Sequence, residues 1–155
     1  MKKTLPMALA LLLLGAGCTS APSAQIESRA MLTLPDGKEI RVEVARTLDE
    51  QAQGLADRSS VGDGMIFCMD GTTIQRFWML GMQVPVDMVW IHGGEVRGVA
   101  AEVPLREGEG NGSANPTIRS SDEPVNMVLE LPAGWAERHQ VVVGSQIEGA
   151  VESCQ

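Results

Sequence analysis

Residues 31–45, Met-Leu-Thr-Leu-Pro-Asp-Gly-Lys-Glu-Ile-Arg-Val-Glu-Val-Ala, decide the fold class. Ile40, Val42 and Val44 alternate with Arg41, Glu43 and Ala45. A period of two sends successive side chains to opposite faces, so this arm reads as a half-buried strand. The preceding Pro35-Asp36-Gly37-Lys38 is a turn. Pro fixes φ, Asp offers a short acceptor and Gly tolerates a positive φ, which together close a hairpin with Met31–Leu34.

Downstream, Thr47 and Glu50 have the spacing of a capping box. They predict a short helix over 48–56 with Leu48, Ala52 and Leu55 toward the core. Gly64–Met69 reads as a strand, Asp70–Thr73 as a turn and Ile74–Leu80 as another strand. Val86–Ile91 is apolar except at Asp87, the pattern of a strand buried on both faces. His92-Gly93-Gly94-Glu95 turns into a strand over Val96–Val103. Residues 106–123 hold one large aliphatic side chain, Ile118, and read as a long surface loop or lid. Val125, Met127, Leu129 and Leu131 alternate along a further strand, whose other face carries Asn126, Val128 and Glu130. Pro132–His139 is a short helical turn, and Val141–Val151 closes the domain as one or two strands around Gly144. Short strands, frequent turns and two short helices make a mainly β domain over residues 29–152, a sandwich or distorted barrel. No long helix separates the strands, which excludes a doubly wound α/β fold.

The 155 residues carry a formal net charge of -8. Residues 1–17 hold Lys2 and Lys3 and no acid, so the remainder has 10 basic and 20 acidic residues. An acidic body disfavours nucleic acid as a partner. Residues 5–17, Leu-Pro-Met-Ala-Leu-Ala-Leu-Leu-Leu-Leu-Gly-Ala-Gly, contain no charge. Thirteen residues reach roughly 20 Å as a helix, short for a bilayer core, so 1–17 reads as a signal peptide. Leu14-Gly15-Ala16-Gly17-Cys18 resembles a bacterial lipobox, which implies cleavage before Cys18 and its lipidation. Thr19 follows the Cys in place of Asp, which by the same resemblance implies the outer membrane. Residues 18–28 are then the lipid-anchored tether. Acyl chains supply the membrane affinity that the acidic body lacks. Export permits a disulfide between Cys68 and Cys154. The apolar run Met65–Met69 suits a buried free thiol at Cys68 equally well.

Gly54-Leu55 with Arg58, Gly64-Met65-Ile66-Phe67, Phe77-Trp78-Met79, Pro85-Val86-Asp87 and Leu129-Glu130-Leu131-Pro132-Ala133-Gly134 occur in that order along the chain. In this order they resemble the domain of unknown function family numbered 192, over about residues 30–150. The resemblance implies a β-sandwich of jelly-roll type, often exported, and supplies no biochemical activity. The chain departs from the family pattern at Leu80-Gly81-Met82, where a Lys-Asn-Thr type run is common, and at Ala56, where Met is usual.

Four residues are candidates for a ligand site: Arg58, Trp78, Asp87 and Glu130. A carboxylate inside an apolar strand must be paired, hydrogen-bonded or in a cleft, and Arg58 is a plausible partner for Asp87. The competing structural role for Asp87 is a turn cap on neighbouring N–H groups, braced by Arg58. Glu130, on the polar face of its strand, has solvation or a salt bridge as its commoner role. A non-catalytic binding or assembly module, with a cleft near Trp78 and Asp87 rimmed by 106–123, accounts best for these features. An envelope hydrolase would use Asp87 and Glu130 as an acid/base pair. A weaker reading is copper handling through Cys68 and the surrounding Met65, Met69, Met79, Met82 and Met88, against a core-filling role for the same thioethers. His92 and His139 lack carboxylates at ligand spacing, so no zinc site or other cofactor is implied.

Overall fold

The computed structural model describes residue 26, residues 28–105 and residues 117–155. The expected signal peptide, Cys18, most of the tether and residues 106–116 of the 106–123 loop lie outside the described residues. The elements run β1 (Arg29–Thr33), β2 (Glu39–Ala45), α1 (Leu48–Gln53), β3 (Met65–Thr73), β4 (Arg76–Trp78), β5 (Val86–His92), β6 (Glu95–Val103), β7 (Ile118–Ser120), β8 (Val125–Pro132), α2 (Trp135–Arg138) and α3 (Ala150–Ser153).

The class is mainly β, as the alternation predicts. Six strands form one mixed sheet in the order β1-β2-β3-β8-β5-β6, and β4 pairs with β7 in a separate ribbon. The described strands form no closed barrel. The predicted hairpin is present, with Leu32 opposite Ile40 and Ala30 opposite Val42. β2 and β3 are parallel, joined by the crossover that contains α1. The Thr47 hydroxyl accepts from the Glu50 N–H, and the Glu50 carboxylate accepts from the Thr47 N–H, so both halves of the capping box form.

The sheet buries both faces, and strand periodicity sorts the side chains between them. Ile66 and Cys68 of β3, Val89 and Ile91 of β5, and Met127 and Leu129 of β8 share one core with Leu32, Ile40 and the C-terminal segment. Met65, Phe67, Met88, Trp90 and Val128 share the other with Leu55, Met79 and Met82. Phe77 of the β4–β7 ribbon packs on this second core, edge to face with Phe67 at a centroid distance of 4.9 Å.

Four local expectations are corrected. Asp70–Thr73 is not a turn; β3 continues through it, re-pairing Thr73 with Val125 after an irregularity beyond Cys68. The strand expected over Ile74–Leu80 shrinks to β4, because Met79 and Met82 turn back into the second core. Val141–Val151 contributes only isolated bridges, Gln146 to Glu95 and Glu148 to Thr33, and ends in α3, giving three short helices. Leu48 is 78% exposed, since α1 stops at Gly54 after six residues and only Leu55, beyond its end, reaches the core. Cys68 and Cys154 form a disulfide that fastens the C-terminus to the central sheet.

Candidate functional site

Glu130 lies in the interior of β8, paired with Met65 on one side and Met88 on the other. Both methionines are completely buried on the second-core face, and the pleat places Glu130 among them. Gly64, just before β3, abuts the Glu130 carbonyl where any Cβ would collide, so the two chains approach closely here. The Glu130 side chain has no hydrogen-bond or ion-pair partner among the described residues. The expectation of a solvated or salt-bridged carboxylate is therefore corrected. The polar alternation of β8 breaks because α1 and the β4–β7 ribbon cover this face.

The covering is incomplete. A cavity of about 270 Å³ opens between α1, the 54–56 turn, β3 and β4, and reaches Glu130. Leu55, Phe67, Phe77 and Met82 make its apolar wall. Leu48, Trp78 and Leu80 line it as well and are exposed, so they form its mouth. The glutamine amides of the lining each donate to a protein acceptor. Gln51 Nε2 donates to the Arg46 and Cys68 carbonyls, Gln53 Nε2 to the Ala56 carbonyl and Gln75 Nε2 to the Thr73 hydroxyl. Burial without compensation pushes the Glu130 carboxyl up from the ordinary 4.5 to about 7.

That shift has a consequence for stability. The folded-state value lies above the unfolded one, so the neutral carboxyl is tolerated below pH 4.5, and stability is lost as pH rises through about 7. The full loss is about 3 kcal/mol, of which about 2 kcal/mol falls between pH 5.5 and 8.5. Glu130→Gln removes this component. Urea unfolding at the two pH values is expected to show the wild type losing about 2 kcal/mol more than the variant on going to pH 8.5. Equal losses in the two proteins would mean that Glu130 is solvated or paired.

The other candidates separate. Asp87 is fully buried, but on the opposite face: it pairs with Leu131, while its neighbour Met88 pairs with Glu130. Its Oδ1 accepts from the Glu102 and Gly134 N–H groups at 2.7 and 3.1 Å, and its Oδ2 from the Ala136 N–H at 2.8 Å. It does not line the cavity. Arg58 turns instead to Glu43 in a two-pronged pair at 2.7 and 3.1 Å, so the expected Arg58–Asp87 pair does not form. Two carboxyls on opposite faces of one sheet cannot flank a bond, which removes the acid/base pair of the hydrolase reading. The copper reading loses its thiolate to the disulfide, and Met65, Met79 and Met88 are core side chains with no exposure.

Of the four candidates, Trp78 and Glu130 line the cavity, together with Phe67, Phe77 and the α1 wall, which the sequence did not single out. A signal was available: Gly54-Leu55, Phe67, Phe77-Trp78 and Glu130 come from four of the segments that carry the family resemblance, and all four meet at this cavity. The model of DUF192, described as "Uncharacterized ACR", matches residues 31–149. The chain belongs to the DUF192 family. No curated protein matches it. This DUF192 domain is similar to a protein of unknown function from Novosphingobium aromaticivorans, at 29% identity over 84% of this chain and 94% of that one, with a TM-score of 0.65. It is also similar to a putative transcription regulator from Sinorhizobium meliloti, at 31% identity over 79% of this chain and 92% of that one, again with a TM-score of 0.65.

Proposed function

We propose that this DUF192 protein is a non-catalytic small-ligand-binding module of the cell envelope, lipid-anchored at Cys18 to the outer membrane and facing the periplasm. One observation carries the reading: an apolar cavity with exposed Trp78 at its mouth reaches a buried carboxyl that no described side chain satisfies. Apolar pockets with a few convergent polar groups are the usual form of a ligand site. The Cys68–Cys154 disulfide supports an oxidising compartment, and the acidic body supports an anchor made of acyl chains. The Sinorhizobium relative is described as a putative transcription regulator, but 20 acidic against 10 basic residues beyond position 17 disfavour a polyanion as partner here.

The test is native mass spectrometry of the full-length protein extracted from its own membranes. A co-purifying small molecule is expected on the wild type, on a chain acylated at Cys18, and at least tenfold less of it on Trp78→Ala. A wild-type protein recovered empty from the soluble fraction would overturn the reading. Equal occupancy of the two proteins would move the site away from Trp78.

A further inference from the structure

The charges around the cavity select the class of ligand, an inference that rests on the proposed binding role. Glu130 and Arg76 are the charged side chains lining the cavity. Arg76 is exposed at the edge, and burial alone accounts for the perturbed carboxyl, so the guanidinium does not neutralise it. Asp49 and Glu50 of α1 do not line the cavity, and Glu50 is committed to the capping box. Asp70 of β3 is exposed and does not line it. From β5, the side chain paired with Glu130 is Met88. Gln51 gives both amide N–H groups to protein carbonyls, and Gln53 and Gln75 give one each to protein acceptors. The carboxyl deep in the pocket is thus unpaired, and the guanidinium of the lining stays at the exposed edge.

Its walls suit a cation. Phe67, Phe77 and Trp78 line the space, and aromatic rings attract an ammonium through their quadrupoles while tolerating an apolar chain. A buried carboxylate is stabilised when a cationic donor neutralises it and fills its acceptor sites at once. A neutral donor does only the second. We propose that the pocket binds an organic ammonium with an apolar body, its N–H groups on the Glu130 carboxylate and its body between the Phe67–Phe77 pair and Trp78. A matching anion would meet Glu130 head-on.

The test uses three probes of one shape: 2-phenylethylamine, 2-phenylethanol and 3-phenylpropanoate. Each is titrated calorimetrically into the full-length protein in detergent, with protein-free micelles as the blank. At pH 8.5 the amine is expected to bind at least tenfold more tightly than the alcohol, and the propanoate not at all. The alkylammonium stays charged from pH 5.5 to 8.5, whereas Glu130 is protonated as pH falls. Amine affinity is therefore expected to drop roughly thirtyfold toward pH 5.5, while alcohol affinity stays level. Glu130→Gln is expected to bring the amine down to the alcohol's affinity and remove its pH dependence, leaving the alcohol unchanged.

Amine and alcohol binding equally, with both weakened in Trp78→Ala, would overturn the ammonium assignment and keep the pocket. Tighter binding of the propanoate, or tighter binding at pH 5.5, would likewise overturn the assignment. Binding of none of the three, together with a protein empty from its native membrane, would overturn the pocket as well.

Discussion

Cys154→Ala is expected to lower the unfolding free energy of this protein by about 4 kcal/mol. The bridge joins residues 86 apart in sequence, with Cα atoms 5.3 Å apart. Closing so long a loop removes many conformations from the unfolded chain, and the chain-entropy relation puts that near 4.6 kcal/mol at 25 °C. Cys68 sits in the first core among Ile66, Met127 and the C-terminal segment, and Cys154 comes directly after α3. The C-terminus also has a second hold. Arg46 donates from Nη2 to the Ser153 carbonyl at 2.5 Å and from Nη1 to the Ser28 hydroxyl at 2.6 Å. The native position of α3 should therefore survive the loss of the bond, so most of the cost belongs to the unfolded state. Three urea unfolding curves check this: wild type, wild type in reductant, and Cys154→Ala. The last two should coincide. Cys68→Ala combined with Cys154→Ala should cost little more than Cys154→Ala alone, because the cross-link is already gone. A cost below 1 kcal/mol for Cys154→Ala would show that the bond does not constrain the chain in solution.

Legibility tracked the range of the interaction. The hairpin around Pro35-Asp36-Gly37 and the Thr47–Glu50 cap are local, and both are present where their spacing places them. The alternation along β8 correctly sent Met127, Leu129 and Leu131 to the core. It could not say what lies over the other face, so Glu130 reads as a surface residue until α1 and the β4–β7 ribbon are in place. The same limit applied to the bridge: nothing near Cys68 identifies a partner 86 residues away. Arg58 reads as a partner for any nearby acid, and the parallel pairing of β2 with β3 brings it Glu43 rather than Asp87. The C-terminal apolar run 141–151 has strand composition, but Gly144 and Gly149, both at positive φ, break it into turns before α3. Trp78, expected beside a cleft, is exposed and lines the cavity, but no local signal in the sequence shows that Phe67 and Phe77 join it there.

Asp87→Ala is expected to destabilise the protein by about 4 kcal/mol while leaving the cavity intact. The three N–H groups that Asp87 accepts from belong to the end of β6 and the entry to α2. Glu102, near the end of β6, has φ of 47°, a left-handed conformation that costs a residue with a side chain about 1–3 kcal/mol. Gly134, at φ of 78°, is the N-cap of α2 and lacks a side chain to cap with, so Asp87 takes that role for the Gly134 and Ala136 N–H groups. One carboxylate thus fixes the β6 irregularity and the entry to α2 at once. Asn at this position keeps the acceptor for Glu102 and Gly134 but turns an amide N–H toward the Ala136 N–H, so Asp87→Asn should cost about half as much. In hydrogen exchange the Glu102, Gly134 and Ala136 amides should lose protection in both variants, ahead of the β8 amides. The cavity lies across the sheet, so binding of the amine probe per folded molecule should be unchanged. Stability within 1 kcal/mol of wild type in Asp87→Ala would show that the three N–H groups find water instead. Loss of amine binding in a folded Asp87→Asn protein would mean that the two faces are coupled through β5, with Asp87 acting on the site through Met88.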